Sequence, residues 1–153
     1  MADGAGTSAD QREITTSRIL DASPDRVFAA FADPARLARW WGPAGFGNTF
    51  HKFDLRPGGH WRFVMHGPDG KDYKNHSVFR EVVRPARIVF EHQSAPNFVM
   101  TLNFDAAPDG KTRIGWTQRF HTPQERDRIA RFAVDANEQN LDRLAAELTR
   151  GDL

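Results

Sequence analysis

The chain has 153 residues, enough for one domain with a sizeable core and too few for two comfortable ones. Its 21 basic and 20 acidic residues leave a net charge of +1, which argues against nucleic acid and against an anionic membrane surface as partners. With no cysteine there is no disulfide and no thiolate metal site, and no stretch approaches the roughly 18 apolar residues of a bilayer span.

Residues 1–13, "MADGAGTSADQRE", are small and polar and read as a disordered tail, neither signal peptide nor membrane anchor. A cytoplasmic protein is the expectation, with residues 14–150 as a single domain. The many Arg and few Lys, with abundant Ala, fit a GC-rich bacterial genome.

The first strand is expected around Ile14 to Leu20. Ser23-Pro24-Asp25 and Asp33-Pro34 each offer an N-cap with proline at the first helical position, predicting two short helices. Turn signals then recur at Arg56-Pro57-Gly58-Gly59, Gly67-Pro68-Asp69-Gly70, Arg84-Pro85, Ala95-Pro96-Asn97 and Ala107-Pro108-Asp109-Gly110. Six strands lie around them and should form a meander. Thr122-Pro123-Gln124-Glu125 carries a capping-box pattern and opens a long helix to about Thr149, with Gly151 as its stop. An antiparallel sheet with one covering helix must bury its apolar face against that helix, and a curved sheet leaves a cavity there.

Strand alternation separates the two faces. Trp61, Phe63 and Met65 oppose His60, Arg62, Val64 and His66. Phe98, Met100, Leu102 and Phe104 oppose Val99, Thr101 and Asn103, and Ile114, Trp116 and Phe120 oppose Arg113, Thr117 and Arg119. Polar residues on the apolar phase are the informative ones. Gln118 follows Trp116, and His92 follows Ile88 and Phe90. The phase of Phe79 also holds Tyr73, Asn75, Ser77 and Glu81, in a strand of less regular alternation. On the long helix Ala130, Val134, Asn137, Leu141, Leu144 and Leu148 form one stripe with Asn137 at its centre. Gln118, Glu81, water or a ligand are its candidate partners. Ile129, Phe132 and Ala136 form a second patch, for the short helices or another subunit. These positions describe a mostly apolar pocket with a few polar anchors.

In "RLARWWGPAGFGNTF" (36–50) two tryptophans are adjacent before a turn. Neighbours on a helix point about 100° apart. One of Trp40 and Trp41 should therefore pack under the short helices while the other lines or lids the cavity; the turn suits Trp41 to the inner role. The ligand-binding set expected from the sequence is Trp40, Trp41, Phe63, Met65, Tyr73, Asn75, Phe79, Glu81, Phe90, His92, Met100, Trp116, Gln118 and Asn137.

Chemistry-bearing motifs are sparse. His60 and His66 share the outward phase about 20 Å apart. His76 and His92 would approach across strands, but no third ligand is evident, so no metal is expected. "GPAGFG" and "RPGGH" lack the context of a phosphate loop, and no motif asks for a cofactor. Glu81, facing a cavity, would have a raised pKa suited to acid–base work; an ion pair with Arg87 or Arg62 is the alternative.

The segments "ASPDRVFAAFADPARLARWWGP" (22–43), "FDLRPGGHWRFVMHGPDG" (53–70), "FREVVRPARIVFEH" (79–92) and "NLDRLAAEL" (140–148) carry a resemblance. Over residues 14–150 the chain resembles the bacterial branch of the START-like superfamily. More narrowly, it resembles stand-alone proteins related to the C-terminal domain of the Hsp90 ATPase activator. The resemblance implies an α+β helix-grip (START-like, Bet v 1-like) fold: a seven-stranded curved antiparallel sheet around a long C-terminal helix, with two short helices after strand 1. It implies a small hydrophobic ligand in a cavity, and a homodimer. At Asn137 the chain departs from a pattern of larger or aromatic residues. Alternatives within the superfamily are a cyclase or dehydratase on a polyketide-like substrate, using Glu81, His92 or Tyr73, and an Hsp90-type co-chaperone.

Overall fold

The computed structural model describes residues 11–150. Strand β1 (Glu13–Leu20) precedes helices α1 (Pro24–Ala32) and α2 (Pro34–Trp40). Strands β2 (Gly47–Phe53), β3 (His60–His66), β4 (Asp72–Val83), β5 (Arg87–His92), β6 (Phe98–Ala107) and β7 (Lys111–Arg119) follow, and helix α3 (Pro123–Arg150) closes the fold. Most of the expected tail, and Gly151, lie outside the described residues, while Glu13 already belongs to β1.

Each strand from β2 onward pairs with its successor, and β1 returns to pair with β7. The result is one antiparallel seven-stranded sheet of order β1-β7-β6-β5-β4-β3-β2. Local chemistry sets the boundaries. Ser23 Oγ accepts from Arg26 N–H at 3.3 Å, and Asp33 Oδ1 accepts from Ala35 N–H at 3.0 Å. Thr122 Oγ1 accepts from Glu125 N–H at 3.1 Å, but Glu125 Oε1 has no partner, so only half of the capping box forms. Gly59 is required by a close approach: a Cβ there would stand 1.9 Å from the Asp54 carbonyl oxygen.

The concave side divides into a filled half and an open half. Helices α1 and α2 drive Val27, Phe28, Phe31, Leu37 and Trp40 into the filled half, each 3% exposed or less. Burial of such side chains contributes about 1.5–3 kcal/mol apiece. The C-terminal part of α3 adds Leu141, Leu144 and Leu148 to the same core. Of its preceding turns only Ala133, Asn137 and Asn140 are fully buried, with Ile129 and Ala130 partly buried against Ile14 and Phe120. Less volume enters there, and space remains.

The buried stripe of α3 differs from the expected one. Ala133 is buried where Val134 was expected, and Val134 is 48% exposed, about 100° further round the helix. Phe132, 63% exposed, does not cover the short helices. Glu147 joins the stripe because Arg36, Arg39 and Arg150 reach it at 3.1, 2.7 and 3.2 Å. Arg18 of β1 ties the outer side of α3 through Glu138 at 2.9 Å and Asp142 at 2.7 Å.

Two register shifts bend the sheet, at His51 in β2 and at Arg80 in β4. The second matters for function. Phe79 pairs with Phe90 and Glu81 with Val89, so Arg80 is an extra residue and the phase reverses beyond it. Val82 takes the inner position, and Glu81 faces out, where its carboxylate accepts from Arg87 Nε–H at 3.0 Å. A one-residue insertion thus moves Glu81 off the concave face.

Candidate functional site

The open half is a cavity of about 210 Å³ between strands β3 to β7 and the N-terminal part of α3. Cross-strand register builds its floor. Trp61 pairs with Ser77, Ser77 with His92, and His92 with Phe98; the next row runs Phe90, Met100 and Gln118. Ser77 is the small member of an aromatic row. Phe63, Met65 and Asn75 continue the lining toward the mouth. Phe79 does not line it; its ring lies parallel to that of Trp61 at 5.9 Å, in the core behind.

Trp41 supplies the wall on the α2 side. It is the residue that ends α2, and its extended backbone (φ −69°, ψ 133°) turns it away from the helix. Its ring stacks on Trp116 at 5.4 Å and stands 5.1 Å from Trp61. Trp40 belongs to the filled half, with its ring edge-on to Phe31 at 4.8 Å and its Nε1–H donating to the Ala30 carbonyl at 3.1 Å.

The loop after Trp41 is held by Arg143. Its guanidinium donates to the carbonyls of Arg39, Trp41, Gly42, Pro43 and Phe46, at 2.8 to 3.3 Å. Burial lowers the Arg143 pKa from its usual value. Gly42 takes φ +100°, and a Cβ there would lie 2.6 Å from Met65 Cε. Nothing in the hydrophobic periodicity of α3 marks Arg143, because a guanidinium on a polar face reads as solvated.

Outward, the cavity opens into a mouth of about 730 Å³ lined by Phe46, Tyr73, Ala95 and Phe132 among others. Pro43, Met65, Asn75, His92 and Pro96 line both spaces, so the two adjoin. Tyr73 is 42% exposed there, and its hydroxyl donates to Asp69 Oδ2 at 3.2 Å. Partial burial and Asp69 both raise its pKa, so the phenol keeps its proton at neutral pH.

Polar groups inside are few. Asn137 Nδ2–H donates to Gln118 Oε1 at 2.8 Å, joining helix to sheet. His92 Nδ1 lies 2.8 Å from the Pro96 carbonyl oxygen, and its Nε2 lies 2.6 Å from Asn75 Oδ1. Burial lowers the His92 pKa despite hydrogen bonds that raise it, so the ring is neutral at neutral pH. A neutral imidazole carries one N–H and both ring nitrogens face acceptor oxygens, so the ring donates to one of Pro96 and Asn75 at a time. The Ser77 hydroxyl and the Nε1–H groups of Trp61 and Trp116 are buried without a protein partner. Such orphans typically cost about 1–3 kcal/mol each.

The structure therefore brings together Trp41, Phe63, Met65, Asn75, Phe90, His92, Met100, Trp116, Gln118 and Asn137, with Tyr73 at the mouth. It separates Trp40, Phe79 and Glu81 from them. Of the three acid–base candidates, His92 alone faces the inner cavity. His76 points outward and does not meet His92; its Nε2 lies 2.8 Å from His60 Nδ1. His66 is also outward, against Thr49 at 2.7 Å and Asp72 at 2.8 Å. Among the described residues no group of three or more His, Asp or Glu is placed to hold a metal ion. Sequence reasoning passed over Trp61, Ser77 and Phe98 as lining residues, although alternation put them on the inner phase. Pro43, Phe46 and Pro96 come from loops, where no periodicity exists to mark them.

Residues 21–149 match the family of Activator of Hsp90 ATPase homolog 1-like proteins. No curated protein matches the chain. Among solved structures, a protein of Nitrosomonas europaea aligns with a TM-score of 0.86 at 21% identity, covering 93% of this chain and 97% of the other. A protein of Chromobacterium violaceum aligns at 0.78 and 26% identity, covering 88% and 95%. The AHSA1 protein of Silicibacter pomeroyi aligns at 0.74 and 23% identity, covering 90% and 97%. No helix among the described residues is long and apolar enough to cross a membrane.

Proposed function

The chain belongs to the Activator of Hsp90 ATPase homolog 1-like family, and from that premise we propose that it binds a small apolar or amphipathic molecule between its sheet and α3. One observation carries the reading: the inner cavity of about 210 Å³ adjoins an open mouth with which it shares lining residues. Its walls are mostly apolar, with a handful of amide, hydroxyl and imidazole groups. That composition is typical of small-molecule sites. An apolar cavity of roughly 150 Å³ suffices for benzene, so the inner space accommodates a substituted single ring, and the mouth takes any extension. Glu81 on the outer face removes the carboxylate on which an acid–base mechanism would have rested.

Titration of the isotope-labelled protein with toluene, naphthalene and 1-octanol tests the proposal. Amide resonances of Trp41, Trp116 and Gln118 should shift in a saturable way, and the melting temperature should rise with ligand concentration. No saturable shift with any of the three refutes it.

A further inference from the structure

Gln118 and Asn137 hold each other by one hydrogen bond, and each has a second polar atom that this bond does not use. Gln118 retains its amino group and Asn137 its carbonyl oxygen. Neither atom has a protein partner, and neither is among the polar atoms sealed from access, although the residues are only 6% and 8% exposed. Both residues line the inner cavity. If both amides are turned end for end, the outcome is the same in kind: one amino group and one carbonyl remain presented.

The second observation is the lack of charge. No Asp, Glu, Lys or Arg is among the described residues that line the inner cavity, and its one titratable group, His92, is held neutral by burial. A carboxylate or ammonium placed there would lose its hydration without gaining a counter-ion. A neutral group that both donates and accepts would complete the amide pair. The walls around it are the rings of Trp41, Trp61 and Trp116.

We infer that the inner cavity selects neutral aromatic molecules carrying a carboxamide-like donor–acceptor edge, which the Gln118–Asn137 pair engages. This specifies the ligand class for the binding site proposed above and rests on that reading. Carboxamides satisfy both free atoms at once; the corresponding carboxylates offer acceptors only and bring a charge.

Three probes of matched shape test it: 4-ethylbenzamide, 4-ethylbenzoate and 4-ethylcumene, each titrated into the full chain above the pKa of the acid. The carboxamide should bind at least about tenfold more tightly than the carboxylate, equivalent to 1.4 kcal/mol. It should shift the side-chain amide resonances of Gln118 and Asn137, which the hydrocarbon should leave in place. In the Gln118→Met/Asn137→Leu double variant, which removes both partners together, carboxamide affinity should fall about tenfold while the hydrocarbon still binds. Equal binding of carboxylate and carboxamide overturns the inference and leaves small-molecule binding standing. So does a carboxamide that leaves the two side-chain amides unmoved in the unmodified protein, whatever the double variant does. Failure of all three probes overturns both readings.

Discussion

Glu147 is the most consequential buried charge in the fold. Its side chain is 1% exposed, yet it carries a carboxylate against Arg36 and Arg39 of α2 and Arg150 of its own helix. Burial pushes the carboxyl pKa up, but hydrogen bonds from Arg39, Arg36 and Arg150 outweigh it and bring the pKa from 4.5 down to about 2. The difference is about 2.5 units, and at 1.36 kcal/mol per unit the ionised group contributes roughly 3 kcal/mol of pH-dependent stability. Because the folded pKa is the lower one, this contribution is fully present above pH 4.5. It is lost as pH falls toward about 2. Glu147→Gln keeps the shape and an acceptor oxygen but removes the charge. Urea denaturation at a series of pH values should show the variant less stable by roughly 2–3 kcal/mol near neutrality. The gap between the two proteins should close on acidification. Two stability curves that run parallel down to about pH 2, or a neutral-pH loss below about 0.5 kcal/mol, would refute the assignment of Glu147 as the charge that locks α3 to α2.

Four further outcomes are expected. Trp40→Ala should cost about 3–5 kcal/mol in chemical denaturation with little change in probe affinity, whereas Trp41→Ala should change the affinity for toluene or naphthalene by about tenfold. Equal effects of the two on affinity would count against the division of the concave side. Arg143→Lys should lower stability by about 1.5–3 kcal/mol and speed hydrogen exchange in the 41–46 loop, since one ammonium cannot reach five carbonyls; unchanged exchange would refute the clamp. Ser77→Ala deletes a buried hydroxyl with no protein partner and should be neutral or stabilising by up to about 1 kcal/mol, so a clear melting-temperature loss would reveal a hidden partner. Glu81→Gln should alter stability by less than about 0.5 kcal/mol and leave probe binding unchanged, as befits an exposed pair; any loss of binding would return Glu81 to the site.

What the sequence disclosed follows from which signals are local. Ser23, Asp33 and Thr122 mark helix starts through hydrogen bonds within a few residues, and the Gly- and Pro-containing turns space the strands. Alternation in β7 placed Gln118 inward, and helical periodicity did the same for Asn137; the sequence left Gln118, Glu81, water or a ligand as its partner, and the fold brings Gln118 to it. Glu81 was misplaced because a bulge is one extra residue, and the irregular alternation of β4 conceals where the phase reverses. Val134 was misplaced by a single step because Asn140 and Glu147, both polar, sit in the true buried stripe and hide its course. The mouth was illegible for a different reason: Phe46 and Pro96 arrive from loops, and only the folded chain sets them beside Phe132 and Tyr73.

The tryptophans have a consequence beyond packing. All four in the chain form one contiguous group, with Trp41 touching Trp40 at 5.6 Å, Trp61 at 5.1 Å and Trp116 at 5.4 Å between ring centres. Indoles so close can pass excitation energy to one another, so a change at one ring alters the emission of the group. Three of the four rings also form cavity wall. A molecule that enters changes the surroundings of these rings, and the emission spectrum and ultraviolet circular dichroism should respond. The chain thus carries an intrinsic optical reporter of cavity occupancy, readable without a label.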